Sequence, residues 1–267
     1  MEVRGRYVFV EGVRAFVEEA GEGRPVVCLH TAGQSGFQWR YVIEDLAARR
    51  YRVVVPDLPG HGRSAFKDGR PVQDLHEYAE WVWSLIGVLG LPRPVIVGCS
   101  IGGKIALDLA VHHGADCAAV IACEADGRPR PRNVNALLRS LEDAASPSRQ
   151  DRTYFGTLAA CGDVTPPERL EEIAMVHRRE DSVITTYDQL GWARHDLMAQ
   201  LGGIRCPTQL AVGDQDFFVP VSWVEETARA IPGAAIEVLE GVGHYPMEEM
   251  PDFAERVDGW VRKLLGR

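Results

Sequence analysis

The stretch Gly98-Cys99-Ser100-Ile101-Gly102 decides the fold of this chain, because it joins a strand to a helix through a sharp turn. An apolar run at 94–97 precedes it, and a helical pattern at 103–110 follows. A side chain at either flanking glycine would crowd the turn where strand and helix nearly touch. We therefore expect the serine at the apex, in a strained backbone conformation with its hydroxyl exposed. The amide of Ile101 falls in the first helical turn, where unpaired N–H groups can bind an oxyanion.

The composition limits the classes of protein to which the chain can belong. Its 267 residues fit one large α/β domain with room for an insertion, and 46% hydrophobic residues allow a substantial core. The net charge of -9 disfavours nucleic acid and anionic membranes as partners. We find no apolar run of signal-peptide or membrane-span length, and we expect a cytoplasmic location and no membrane association. The oligomeric state stays open.

The six cysteines form no Cys-x-x-Cys pair, and most of them lie in or beside apolar strand patterns. Cysteines in such positions behave as small buried hydrophobic residues. The sequence therefore predicts neither a disulfide framework nor a metal site.

Strand and helix patterns alternate up to residue 123 and again from residue 205. This alternation predicts a mostly parallel central sheet with helices on both faces, preceded by a hairpin around Glu11-Gly12. Between residues 124 and 204 no strand pattern is found, and helices are predicted at 134–143, 150–160, 167–179 and 182–190. We therefore predict a core of residues 1–123 and 205–267, with residues 124–204 inserted as a helical lid over the strand ends.

A serine hydroxyl is a weak nucleophile unless a base activates it and a third group orients that base. Asp216 lies just after one late strand pattern, and His244 lies just after the next. The carboxyl ends of parallel strands share one edge of a sheet, so Ser100, Asp216 and His244 are expected to meet there. Their order along the chain is Ser, Asp, His.

The chain resembles the α/β-hydrolase superfamily over nearly its whole length. The resemblance rests on the serine turn, the small-residue loop after His30, the loop Asp57-Leu58-Pro59-Gly60-His61-Gly62-Arg63-Ser64, the pattern Gly213-x-x-Asp216-x-x-x-Pro220, and Gly243-His244. It implies an α/β-hydrolase fold, with Ser100 as nucleophile, His244 as base and Asp216 as acid. These motifs are specific for the superfamily and do not name a substrate.

Departures from the family pattern narrow the range of activities that the sequence predicts. Thr31 stands where the family usually has glycine, so we place the oxyanion hole at the amides of Ala32 and Ile101. Ser100 replaces the aspartate of related dehalogenases and epoxide hydrolases, which disfavours those activities. Tyr245 follows the base where C–C hydrolases of the meta-cleavage type typically have tryptophan.

A second carboxylate competes with Asp216 for the role of acid. Glu124 lies just past a strand, 24 residues after Ser100. Some members of the superfamily, including lactonases of the zearalenone type, place their acid there. We favour Asp216, because its whole motif is present, and interpret Glu124 as an alternative acid or a substrate contact.

Other polar residues have simpler interpretations. We expect Thr31, Trp192 and Tyr245 to line the pocket, and His30 to brace its loop by hydrogen bonds. His177 is interpreted as part of a solvated helix face.

The predicted function is hydrolysis of a small carboxylic ester or lactone through an acyl-enzyme, a mechanism that needs no cofactor or metal. The same three residues also allow C–C bond hydrolysis, or perhydrolase and cofactor-free oxygenase chemistry. A ligand receptor that retains this fold and turns over slowly is the alternative outside enzymes. Specificity is expected to depend on residues 124–204, where no recognisable motif is found.

Overall fold

A computed structural model describes residues 2–130, 134–135, 138–139 and 149–266. An eight-stranded sheet forms its centre, in the spatial order β1-β2-β4-β3-β5-β6-β7-β8. The strands are β1 (Arg4–Val10), β2 (Val13–Ala20), β3 (Arg24–Leu29), β4 (Tyr51–Pro56), β5 (Val95–Cys99), β6 (Ala119–Cys123), β7 (Thr208–Gly213) and β8 (Ala235–Leu239). The hairpin β1–β2 joins β4 in antiparallel pairing, and all later pairs are parallel. The predicted, mostly parallel sheet is confirmed.

Helices cover both faces of this sheet. They are α1 (Ile43–Ala48), α2 (Leu75–Val88), α3 (Ile101–His113), α4 (Arg149–Ala160), α5 (Pro167–His177), α6 (Ser182–Arg194), α7 (Val221–Ala230), α8 (Pro246–Glu249) and α9 (Phe253–Leu264). One apolar core contains α2, α3 and α7 with one face of the sheet, and a second contains α1 and α9 with the other. Successive residues of β5 alternate between these cores, because side chains of a strand point to opposite faces.

Two helix boundaries show how capping decides where a helix begins. Asp74 accepts the N–H of His76 and starts α2, as the sequence predicts. The pattern at 39–49 predicts one continuous helix, but the structure divides it into a 3-10 turn, Gly36–Trp39, and α1. Ser35 accepts the N–H of Phe37 and so begins the helical winding before Trp39.

Helices α4, α5 and α6 lie between β6 and β7, and we refer to them as the inserted helices. The described residues between these two strands include no strand. Of the four helices predicted here, the one at 134–143 lies largely outside the described residues, and α6 continues beyond the predicted 182–190 to Arg194. The division into a core and a separable lid stays a prediction. Within the part of the chain that the structure describes, no helix combines the length and apolarity needed to cross a membrane.

Candidate active site

Ser100 occupies the turn between β5 and α3, with φ 56° and ψ −117°. Close backbone contacts explain both flanking glycines. An ideal Cβ on Gly98 would overlap the carbonyl oxygen of Gly102, and one on Gly102 would lie 2.5 Å from the carbonyl oxygen of Leu29. A non-glycine residue at positive φ is strained, and the surrounding contacts must hold it in place. The sequence therefore maintains a strained serine at the end of a central strand.

His244 and Asp216 lie at the ends of the two last strands and are joined by a hydrogen bond. His244 Nδ1 is 2.8 Å from Asp216 Oδ2, and the other oxygen of Asp216 accepts the N–H groups of Phe218 and Val219. His244 and Ser100 both line one cavity. Because the bond to Asp216 uses Nδ1, Nε2 is the ring nitrogen that remains available to a group in this cavity. Although burial opposes it, the neighbouring His244 holds the pKa of Asp216 below its usual value. Asp216 is therefore ionised at neutral pH.

Glu124 lies beside this pair, fully buried, at the end of β6. Both of its oxygens accept the N–H of Gly213, at 2.9 and 3.1 Å, and the carboxyl group is hydrogen-bonded to Asp216. Burial, together with the charge of Asp216, raises the pKa of Glu124 well above its usual value. The structure thus brings both predicted acids together, with Glu124 protonated and Asp216 bonded to His244.

The loop after β3 leaves one amide for an oxyanion. The N–H of Thr31 donates to Gln38 Oε1 at 2.9 Å, and the N–H of Gly33 donates to Asp188 Oδ2 at 2.8 Å. No hydrogen bond to another described residue uses the N–H of Ala32. Ala32 and Ile101 both line the cavity, and Ile101 is the first residue of α3. The amides of Ala32 and Ile101 stay the predicted oxyanion hole.

His30 holds this loop in place through hydrogen bonds of both ring nitrogens. Its Nδ1 donates to the carbonyl oxygen of Thr31 at 2.9 Å, while Nε2 accepts the N–H of Leu58 at 3.1 Å. Complete burial lowers the pKa of His30 to about 4, so the ring is neutral and can make both bonds. This geometry agrees with the expected bracing role.

Asp188 of α6 connects the inserted helices to the same loop, and sequence reasoning does not find it. Its carboxylate accepts the Gly33 N–H, His61 Nε2 at 2.7 Å and the hydroxyl of Tyr78 at 3.0 Å. These partners lie 110 to 155 residues away along the chain. No local sequence signal indicates such a contact.

Glu248 and Glu249 of α8 make two further connections, one to α5 and one to the turn that follows α4. His177 Nε2 is 2.7 Å from Glu248 Oε2, and Glu249 accepts the N–H of Gly162 at 2.8 Å. The expectation that His177 lies on a solvated face is wrong, since its side chain is only 1% exposed. The polar run that contains His177 suggests an exposed surface, and its buried partner lies 71 residues further along the chain.

A cavity of about 810 Å³ opens above Ser100 and His244. The predicted pocket residues Thr31, Trp192 and Tyr245 all line it. The inserted helices contribute Arg152, Thr153, Gly156, Thr157, Ala159, His177, Ser182, Thr185, Thr186, Gln189 and Trp192 to its wall. Phe217 and Phe218 also line it and are partly exposed, and the Phe218 ring lies 4.8 Å from that of His244.

The sheet order, the strained serine and the His–Asp pair at the strand ends define an α/β hydrolase. The model of the alpha/beta hydrolase family matches residues 26–256, and the chain belongs to this family.

Individual relatives are similar over most of their length. The chain is 43% identical over 256 residues to the magnesium-chelatase 30 kDa subunit of Rhodobacter capsulatus, which covers 86% of this chain and 84% of that protein. A thermophilic esterase from Thermogutta terrifontis has a similar structure, with a TM-score of 0.84, 25% identity and coverage of 98% and 99% of the two chains. Est816, described as an N-acyl homoserine lactone degrading enzyme, gives a TM-score of 0.79 and 26% identity, with 95% and 99% covered.

Proposed function

We propose that this protein is a serine hydrolase that cleaves a small carboxylic ester or lactone through an acyl-enzyme. The observation that carries the proposal is the 2.8 Å hydrogen bond between His244 Nδ1 and Asp216, beside a cavity that His244 shares with the strained Ser100. A base oriented through Nδ1 presents Nε2 to the nucleophile, as nucleophilic catalysis by serine requires.

The reaction proceeds in two halves. Ser100 Oγ attacks the carbonyl carbon while His244 Nε2 takes the hydroxyl proton, and the imidazolium then delivers that proton to the leaving alkoxide. Water next enters, loses a proton to the same nitrogen and attacks the acyl-enzyme. Collapse of the second intermediate releases the acid, and the proton returns to Ser100 Oγ.

Two amides stabilise the charge that develops on the carbonyl oxygen. The N–H groups of Ala32 and Ile101 receive the oxyanion, since those of Thr31 and Gly33 already donate to side chains. A preorganised donor in such a position contributes about 3–4 kcal/mol to transition-state stabilisation. Asp216 stabilises the imidazolium without taking up its proton.

The cavity supports a small-molecule substrate. Its volume of about 810 Å³ lies within the range of about 300–1,000 Å³ typical of ligand sites. The likeness to an esterase and to a lactone-degrading enzyme agrees with an ester or lactone carbonyl as the reacting group.

The test is a panel of aryl esters, alkyl esters, lactones and dienone acids, assayed with the wild type and Ser100→Ala. We expect turnover of an ester or lactone to fall by several orders of magnitude in Ser100→Ala, because the covalent route is removed. A serine-directed phosphonate should label Ser100 alone. Ser84→Ala is the matched control and should retain activity, since this serine lies on α2 outside the cavity and donates to Glu11. Cleavage of dienone acids alone would support C–C hydrolysis.

A second candidate function is favoured by the 43% identity to the magnesium-chelatase 30 kDa subunit. In this role the protein would bind a ligand or partner of a chelatase, and the serine site would turn over slowly or not at all. Kinetics separate the two functions. A burst of one equivalent of product with no steady-state turnover across the whole panel would favour the binding role.

A further inference from the structure

Four side chains of types that can bind metals lie close together where α2, α3 and the end of α6 meet. His76 lies in the first turn of α2, Asp108 and His112 lie one turn apart on α3, and His195 directly follows α6. None of the four lines the cavity above Ser100. The cluster is therefore separate from the proposed hydrolytic site.

The carboxylate of Asp108 is the centre of this cluster. His76 Nδ1 lies 2.8 Å and His112 Nδ1 3.0 Å from Asp108 Oδ1, and His195 Nε2 lies 3.3 Å from Oδ2. The ligand atoms of His76, Asp108 and His112 all lie within 4.8 Å of one another. Three imidazoles thus converge on one carboxylate from three parts of the chain.

His195 lies beside this cluster and outside the group of three ligand atoms. The residue is 8% exposed, and its Nε2 atom is buried without a hydrogen-bond partner among the described residues, despite its distance of 3.3 Å from Asp108. His195 therefore contacts Asp108 without joining the ligand atoms that could surround one ion.

We propose that His76, Asp108 and His112 bind one divalent transition-metal ion of the zinc class. Imidazole nitrogens suit zinc, nickel, copper and cobalt, whereas magnesium and calcium prefer sites made only of oxygen ligands. Ligand atoms about 2.0–2.1 Å from a tetrahedral ion lie roughly 3.3 Å apart. The distances from His76 and His112 to Asp108 Oδ1, 2.8 and 3.0 Å, are close to this spacing. The sequence alone does not predict this site.

Access and charge agree with metal binding. The His76 and His112 side chains are 44% and 35% exposed, which gives an ion a route from solvent, while Asp108 is 1% exposed. The carboxylates of Asp74 and Glu80 also act on His76 electrostatically and favour a cation there. Three protein ligands leave the fourth position of a tetrahedral ion to a water molecule, and the ion would tie α2 to α3.

The experiment uses the untagged full-length chain, freed of metal with a chelator and then dialysed. Zn²⁺ binding is measured by calorimetry, and Co²⁺ binding by its visible absorption. We expect one equivalent of either ion per chain, an intense absorption typical of tetrahedral Co²⁺, and no competition from excess Mg²⁺. Zn²⁺ should also raise the Tm, because it binds the folded state. Absence of Zn²⁺ binding to the wild type at about 100 μM would overturn the proposal.

Variants locate the ion. His76→Gln and His112→Gln should each weaken Zn²⁺ binding at least tenfold, and Zn²⁺ should no longer raise their Tm. His113→Gln is the matched control, since this neighbouring histidine pairs with Glu80 outside the cluster, and it should bind as the wild type does. Metal-free circular dichroism checks that all variants fold. Unchanged binding in both ligand variants would overturn the proposal. So would loss of binding in Asp216→Asn, because Glu124, Asp216 and His244 form the other cluster of this kind among the described residues.

Discussion

Glu124 and Asp216 share a buried hydrogen bond, and Asp216 in turn holds Nδ1 of His244. The side-chain ligand atoms of all three residues lie within 4.8 Å of one another. Two ionised carboxylates at this distance would repel each other in a buried site, and Glu124 therefore keeps its proton. The single negative charge belongs to Asp216, which lies where an imidazolium needs it.

Replacement of Asp216 should remove most of the activity. In Asp216→Asn the imidazole would adopt the wrong tautomer or orientation, and kcat should fall on the order of 10⁴-fold, as in other triads. Asp214→Asn is the matched control, since Asp214 only accepts the N–H of Gly241 at an exposed turn. The measurement is kcat for both variants on one activated ester. Comparable activity in the two variants would mean that Asp216 does not orient the base.

Glu124→Gln should have a much smaller effect on turnover. A glutamine amide can still donate to Asp216 and accept from Gly213, so we expect kcat within about tenfold of the wild type. Glu124→Ala should instead lose about 1–3 kcal/mol of unfolding free energy, since it leaves the buried N–H of Gly213 without its partner. Steady-state kinetics and urea unfolding measure the two effects. If Glu124→Gln abolishes turnover and Asp216→Asn does not, Glu124 is the acid.

The sequence predicts the fold because its strand and helix patterns alternate and because the turn at Ser100 requires glycines on both sides. The position of Asp216 and His244 after consecutive strands places them at one sheet edge, and the structure brings them within hydrogen-bond distance. The assignment of catalytic roles stays a prediction.

Buried polar contacts over long sequence separations could not be predicted in this way. Asp188 reaches Gly33 across 155 residues, and His177 reaches Glu248 across 71. Neither pair follows a helix or strand period, because both depend on how the inserted helices pack against the core. Such pairs become visible only in three dimensions.

Acid should destabilise the protein through His30. Burial lowers the pKa of this histidine to about 4, whereas the unfolded chain titrates near about 6.5. Between these values the unfolded state binds a proton that the folded state does not, so the free energy of unfolding falls as the pH falls. The slope from this residue approaches about 1.4 kcal/mol per pH unit. Urea unfolding between pH 7 and pH 5 should show a shallower slope in His30→Gln than in the wild type, and equal slopes would contradict the assignment.

Asp188→Ala should both destabilise the protein and reduce activity. Removing one partner of a buried ionic contact costs about 3–5 kcal/mol, because His61 is left buried without its carboxylate. The loop at 31–34 also loses the bond that fixes Gly33 beside the proposed oxyanion amide. We expect a lower denaturation midpoint and a lower kcat. Asp196→Ala, which removes an exposed hydrogen bond from the Met198 N–H, should have a much smaller effect on both.

Hydrogen exchange should differ between the inserted helices. Many residues of α4 are exposed, whereas most of α6 is buried and Asp188 connects it to the core. Amides of α4 should therefore exchange faster than those of α6, which should approach the protection of β5 and β6. Mass spectrometry of exchanged peptides measures this. Equal protection of α4 and β5 would show that residues 149–160 belong to the core rather than to a lid.

The contacts made by Asp188, Glu248 and Glu249 have a consequence for protein engineering. Because they hold the inserted helices in place, the cavity wall can be redesigned without rebuilding its supports. Gly156 lines that wall, and apart from its own stretch of helix, an ideal Cβ there would meet no atom of the described residues within 4 Å. Alanine in a helix is also about 0.5–1 kcal/mol more favourable than glycine. A library of graded side chains at residue 156 would therefore select for substrate length on a stable scaffold.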